Sequence, residues 1–237
     1  MDLSGWDTRN VRGMRAAFRG MKKLKTLDLT GWDLSGATEF LETFRECLVL
    51  SEIKGLENLN VSNVQSLEST FRDCNNLTSI NLSNWDTSKV TNLLSTFNGC
   101  TSLISLDISN FDMTKVNNLS TTFSRCTSLA DLKIKNIKLP TSTNFDISSF
   151  TSLQKIDVTD LSMEDVNTIM TTIVDRTNLE PGVIYYNDRV DREMMAHKNW
   201  TFELSILVAR YTYDNSNGDI FPRFNSGYSY TYTVVDN

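Results

Sequence analysis

The sequence predicts an α/β repeat, a stacked solenoid whose units of 24–27 residues each run strand, turn, helix, turn, followed by a small C-terminal β appendage. Three ladders of one period predict it. Cys47, Cys74, Cys100 and Cys126 are spaced by 27, 26 and 26 residues. Phe18, Phe44, Phe71, Phe97 and Phe123 keep the same step, each three residues before a cysteine or, in the first unit, before Met21. Trp6, Trp32, Leu59, Trp85 and Phe111 form the third ladder. Self-similarity of this kind marks units that bury their apolar face only against their neighbours.

The unit that opens at Leu77 shows why each element is expected. Leu77, Ile80 and Leu82 are apolar anchors, and Ser79, Asn81 and Ser83 alternate with them, which is the period of a short strand with one polar face. Trp85 follows. Asp86-Thr87-Ser88 then offers side chains that cap a helix N-terminus, with an acidic group at its positive end. Val90, Leu93, Phe97 and Cys100 step by three, four and three residues, one stripe of a short helix. Gly99 lies near the expected helix end, and Leu103-Ile104-Ser105-Leu106 opens the next strand.

The L-x-x-L-x-L strand core resembles a leucine-rich repeat. Leu82-Ser83-Asn84-Trp85-Asp86-Thr87-Ser88 and Phe97-Asn98-Gly99-Cys100-Thr101-Ser102-Leu103 are similar, more narrowly, to the BspA-like leucine-rich repeats of bacterial surface proteins. The resemblance covers residues 2–135. It departs from ordinary leucine-rich repeats in placing Trp or Phe after the strand. With Val166-Asn167-Thr168-Ile169, Gly182-Val183-Ile184-Tyr185-Tyr186 and Lys198-Asn199-Trp200-Thr201-Phe202 in that order, residues 161–202 resemble a terminal segment that follows such repeats in Bacteroidetes proteins and some of their phages. The resemblance implies display on a bacterial surface and adhesion to protein or glycan.

The pattern loosens toward the C-terminus. One residue is inserted around 55–59, and Lys138-Leu139-Pro140-Thr141 replaces the Asp-Thr-Ser turn, shortening the helix expected there. A longer helix is expected from Met163 to Val174, then strands at Gly182–Tyr186 and at Lys198-Asn199-Trp200-Thr201-Phe202. The solenoid with its closing segment 161–202 thus occupies residues 1–202, and residues 203–237 form the appendage. In the appendage Tyr211 and Tyr213 share one side of a first strand, and Tyr228, Tyr230 and Tyr232 one side of a second. Two strands alone are marginal, so this tyrosine face is expected to attach to the solenoid end or to another chain.

Composition narrows the function. Twenty-three basic against 29 acidic side chains give −6, which argues against a general binder of nucleic-acid phosphates. A single histidine, His197, beside no nucleophile motif, and the lack of G-x-S-x-G, P-loop and dinucleotide fingerprints argue against an enzyme. The cysteines recur once per unit rather than in close pairs, so they are expected to be small buried core residues, with no metal and no cofactor. No stretch approaches the roughly 18–20 apolar residues of a spanning helix, and Met1-Asp2-Leu3-Ser4-Gly5-Trp6 is no signal peptide, so membrane insertion is not expected.

The outward strand positions are the candidate partner-binding face. Rung by rung they are Thr26, Asp28 and Thr30; Ser79, Asn81 and Ser83; Ser105, Asp107 and Ser109; Asp131, Lys133 and Lys135; Lys155, Asp157 and Thr159. Stacking turns them into one polar sheet face, the surface on which solenoids bind partners. The expectation is a non-enzymatic recognition, adhesion or structural module on a bacterial surface. The alternatives are a phage virion component (capsid decoration or tail-associated) and a cytoplasmic scaffold. The first unit has no cap over Leu3 and Trp6, so a partner subunit or second copy is expected there.

Overall fold

A computed structural model describes residues 1–134, 147, 150–162, 165–166, 169, 182–186 and 200–204. All of them lie in one compact unit, Met1–Ser205. The tyrosine appendage, Lys135 and the 138–141 turn are outside the described residues.

The repeat period appears as a stack of coils, each advancing the chain by one short parallel strand. The strands are β1 (Thr26–Asp28), β2 (Glu52–Lys54), β3 (Ser105–Asp107), β4 (Asp131–Lys133), β5 (Lys155–Asp157), β6 (Gly182–Tyr186) and β7 (Trp200–Leu204). They form a two-stranded sheet β1-β2 and a five-stranded sheet β3-β4-β5-β6-β7, all pairs parallel. The centre of each three-residue strand is apolar: Leu27, Leu106, Leu132 and Ile156 are buried, Ile53 half-buried. The chain enters as a further rung, with Asp2 bridged to Asp28. A second line of bridges, Glu39–Ser66–Asn92–Asn118, runs along another side of the coils.

The strand-turn-helix unit expected from sequence is not formed. Among the described residues α-helical conformation occurs only at Asp165, Val166 and Ile169. Where each coil was expected to carry a helix, it carries successive turns, and the hydrogen bonds say why. Leu93, Ser95, Phe97 and Gly99 donate their N–H groups sideways to Asn118, Ser120, Thr122 and Ser124 of the next coil at 2.8–3.0 Å. The residues between them close tight turns instead: Thr96 to Leu93, Asn98 to Ser95 and Cys100 to Phe97, each at 3.1 Å. A helix would have used those N–H groups internally. The alternation also requires left-handed backbone every fourth residue, at Ser95 (φ 56°) and Gly99 (φ 75°), and equivalently at Glu42 and Glu46, Ser69 and Asp73, Thr121 and Arg125. The expected helix cap is likewise reassigned. Asp86 Oδ1 accepts from Ser88 N at 3.0 Å to close a local turn, and Thr87 Oγ1 accepts from Asp112 N of the next coil at 2.8 Å.

The apolar ladders run through the stack as its core. Phe18, Phe44, Phe71, Phe97 and Phe123 stack face to face, centroids 5.4–5.7 Å apart and planes within 15°. Phe123 then meets Phe150 edge-on at 5.8 Å. Trp32, Leu59, Trp85 and Phe111 are buried, and the two indoles keep their N–H groups bonded, to Leu3 O at 2.8 Å and Leu56 O at 2.9 Å. All four cysteines are buried and free, each Sγ 3.0–3.2 Å from the phenylalanine carbonyl of the preceding coil. A ladder that sequence reading passed over lies beside them. Thr43, Thr70, Thr96 and Thr122 are buried, each hydroxyl reaching one carbonyl of its own coil and one of the coil before.

Candidate functional site

The predicted face is polar but not continuous. Asp28 in β1 and Thr30 just beyond it belong to the first sheet, where Asp28 stands in register with Lys54. The inserted residue of the next coil interrupts the sheet. Gly55 takes φ 77°, a 3-10 turn follows at Leu56–Asn58, and the next rung is only the bridge Ser79–Ser105. A Cβ at Gly55 would lie 2.9 Å from the N and Cα of Thr30, so this corner packs backbone against backbone.

From Ser79 onward the predicted residues come together. Asp131 stands between Ser105 and Lys155, and Lys133 between Asp107 and Asp157, so unlike charges alternate across β3, β4 and β5. Lys133 Nζ lies 3.7 Å from Asp107 Oδ2, an ion pair open to solvent. Asn81, Ser83, Asp107 and Ser109 line a hollow of about 260 Å³ with Ile80, Leu82 and Asn110. Asn110 is held in this lining by its Nδ2, which donates to the carbonyls of Leu82 and Trp85 at 2.9 and 3.0 Å. The Ser109 hydroxyl is sunk in this wall with no hydrogen-bond partner among the described residues.

Several of these polar groups also close turns. Asp28, Asn81, Asp107 and Asp157 each accept, through Oδ1, the N–H two residues on, from Thr30, Ser83, Ser109 and Thr159 at 3.0–3.2 Å. Hydrogen bonds from Thr30 hold the Asp28 carboxyl below the usual range. Thr159, expected outward, is buried with its hydroxyl on Asp157. A second column at another corner repeats the device: Asp7, Asp33, Asn60, Asp86 and Asp112 accept from Arg9, Ser35, Ser62, Ser88 and Thr114.

Among the described residues no group of three or more His, Cys, Asp or Glu is placed to hold a metal ion, and no helix is long and apolar enough to cross a membrane. Burial pushes the cysteine thiols up, Cys47 to about 11 and Cys126 to about 12, with Cys74 and Cys100 also well above the ordinary value.

One protein-family model, described as a Mycoplasma protein of unknown function, DUF285, matches residues 1–53 and again residues 43–164. The chain belongs to this family. Its two matches together span the coils that carry the phenylalanine and cysteine ladders. No curated protein matches the chain. Within the DUF285 region, sequence reading missed Lys54, opposite Asp28, and Asn110, which shapes the hollow. The asparagine follows Ser109 directly, and only its reach back to the preceding coil reveals its role.

Proposed function

We propose that this DUF285 chain is a non-enzymatic recognition module, displayed on a cell or particle surface, that binds protein or glycan through the polar face of β3–β5 and the hollow beside it. One observation carries the reading: the Ser109 hydroxyl is buried without a partner among the described residues, in the wall of a cleft lined also by Asn81, Ser83 and Asp107. A buried hydroxyl left unpaired is costly, and a ligand's polar group would relieve that cost. The charge alternation Asp107–Lys133–Asp157 adds donors and acceptors at fixed spacing next to it. The sequence resemblance to BspA-like surface proteins supports the surface setting.

The test is a binding screen of the full chain against immobilised matrix proteins and a glycan array. Lys133→Glu with Lys155→Glu reverses the ridge, and Ser83→Trp fills the hollow. Ligands lost in both variants support the face as the binding surface. Binding unchanged in both removes it.

A further inference from the structure

Charge is distributed unevenly along the stack. The first 25 residues hold seven cations, Arg9, Arg12, Arg15, Arg19, Lys22, Lys23 and Lys25, against Asp2 and Asp7. That is 7 − 2 = +5 on one coil of a chain whose total is −6, leaving −11 on the rest. Two of the cations are already engaged: Arg9 with Asp7 at 2.7 Å and Arg19 with Glu42 at 2.6 Å. Arg12, Arg15, Lys22, Lys23 and Lys25 are exposed and form no salt bridge among the described residues. A three-residue step spans at most about 10 Å of chain, about a Debye length at 0.1 M salt, so fields add within Arg12–Arg15 and within Lys22–Lys25.

The coil that carries them packs on the next one. Its hydrogen bonds to other coils run to the next one, from Met14, Ala16, Phe18 and Gly20 to the carbonyls of residues 39, 41, 43 and 45. The coil also carries a hollow of about 510 Å³ lined by Met1, Gly20, Met21, Lys22, Lys23 and Leu24, with Met21 and Leu24 half-buried. On the same coil Trp6 is 62 % exposed, and its ring stacks on Trp32 at 6.3 Å, which holds a flat apolar plate toward solvent.

We infer that this first coil is a binding edge for a short sulfated oligosaccharide. Repeated anionic groups match these cations, which form no salt bridge among the described residues, and sugar rings present the apolar face that an exposed, braced indole takes. The remaining residues carry a net −11, which disfavours a long polyanion such as duplex DNA, whereas a short anionic oligosaccharide fits one coil. This surface is separate from the β3–β5 face and does not rest on it.

The experiment is fluorescence anisotropy of a labelled heparin octasaccharide titrated with the full chain at low and moderate salt. Binding that weakens at least ten-fold in Lys22→Glu/Lys23→Glu and in Arg12→Gln/Arg15→Gln, but stays the same in Lys133→Glu/Lys155→Glu, supports the edge. A Trp6→Ala variant should weaken binding without changing its salt dependence. Circular dichroism of each variant confirms that the fold is kept. Heparin that fails to bind at low salt, or that binds the first-coil variants as well as the wild type, overturns the proposal. A labelled poly-glutamate peptide that binds more tightly than heparin also overturns it, and reassigns the edge to an acidic protein.

Discussion

The guanidinium of Arg125 reaches the carboxylate of Asp73, two coils and 52 residues away, by passing over Gly99. Gly99 makes the passage possible twice over. It holds φ 75°, and a Cβ there would strike Asp73 Oδ1 and lie 2.7 Å from Arg125 Nη2. Glu46 and Asp73 show that the left-handed conformation alone tolerates a side chain in this column. Gly99→Ala should therefore lower stability by about 2–3 kcal/mol, part backbone strain and part the displaced ion pair. Urea denaturation of the single and double variants measures it. In an Arg125→Ala background the cost should shrink by about 1 kcal/mol, and a cost that stays the same would show the ion pair to be irrelevant.

The threonine ladder carries hydrogen bonds that the strands do not. Thr96 Oγ1 lies 3.0 Å from Leu67 O and 2.8 Å from Leu93 O, wholly buried. Thr96→Val keeps the volume and removes the donor, and should cost about 1–2 kcal/mol. Thr96→Ser keeps the donor and loses one methyl group, about 1 kcal/mol. Valine matching the wild type in urea midpoint would reduce the ladder to packing.

What the sequence made legible was the period and the inward positions, because Phe, Cys and Trp recur at every coil and nothing but burial selects them there. The helix was misread for a physical reason. Val90, Leu93, Phe97 and Cys100 step by three and four residues whether the backbone is helical or closes alternate turns against the next coil. The left-handed positions that decide between the two are glycine only at Gly20 and Gly99; Glu46, Asp73 and Arg125 conceal them. Thr43, Thr70, Thr96 and Thr122 keep the period too, yet a polar residue reads as exposed until its carbonyl partners are seen. On the candidate face, alternation located Asn81, Asp107, Lys133 and Lys155 on exposed positions, whereas the break at Gly55 depends on backbone contact with Thr30 that no side-chain pattern encodes.

Burial raises all four thiols, so the native protein should react slowly with a disulfide reagent at pH 8 and release four equivalents only in denaturant. The linkage has a definite sign. A thiol whose folded pKa is raised stabilises the fold fully below its unfolded pKa of about 8.5, and that contribution is lost as pH rises toward the folded value. Cys47, raised to about 11, should ionise before Cys126, raised to about 12. The urea midpoint should thus fall between pH 8.5 and 11, and less so in Cys47→Ala measured against its own value at pH 7. Fast native labelling at all four sites would sink the account.

The carboxylates at the coil corners set the acid limit. Asp86 is held below its usual range by hydrogen bonds from Ser88, Asp112 by those from Thr114, and Asp33 by those from Ser35; bonds from Arg9 bring Asp7 down to about 2. A depressed folded pKa stabilises the protein above the unfolded value of about 3.9, and that stabilisation is lost as pH falls through the folded one. Stability should therefore be level from pH 7 to 5 and drop between about pH 4 and 2. Asparagine already serves in the same column at Asn60, accepting from Ser62 N at 3.1 Å, and does the same at Asn81 on the strand face. Asp86→Asn with Asp112→Asn should then keep the turns and the neutral-pH stability while flattening the acid limb. The measurement is the urea midpoint of both proteins at intervals from pH 7 to 2. A double variant that loses stability in acid as steeply as the wild type would place the acid sensitivity elsewhere in the chain.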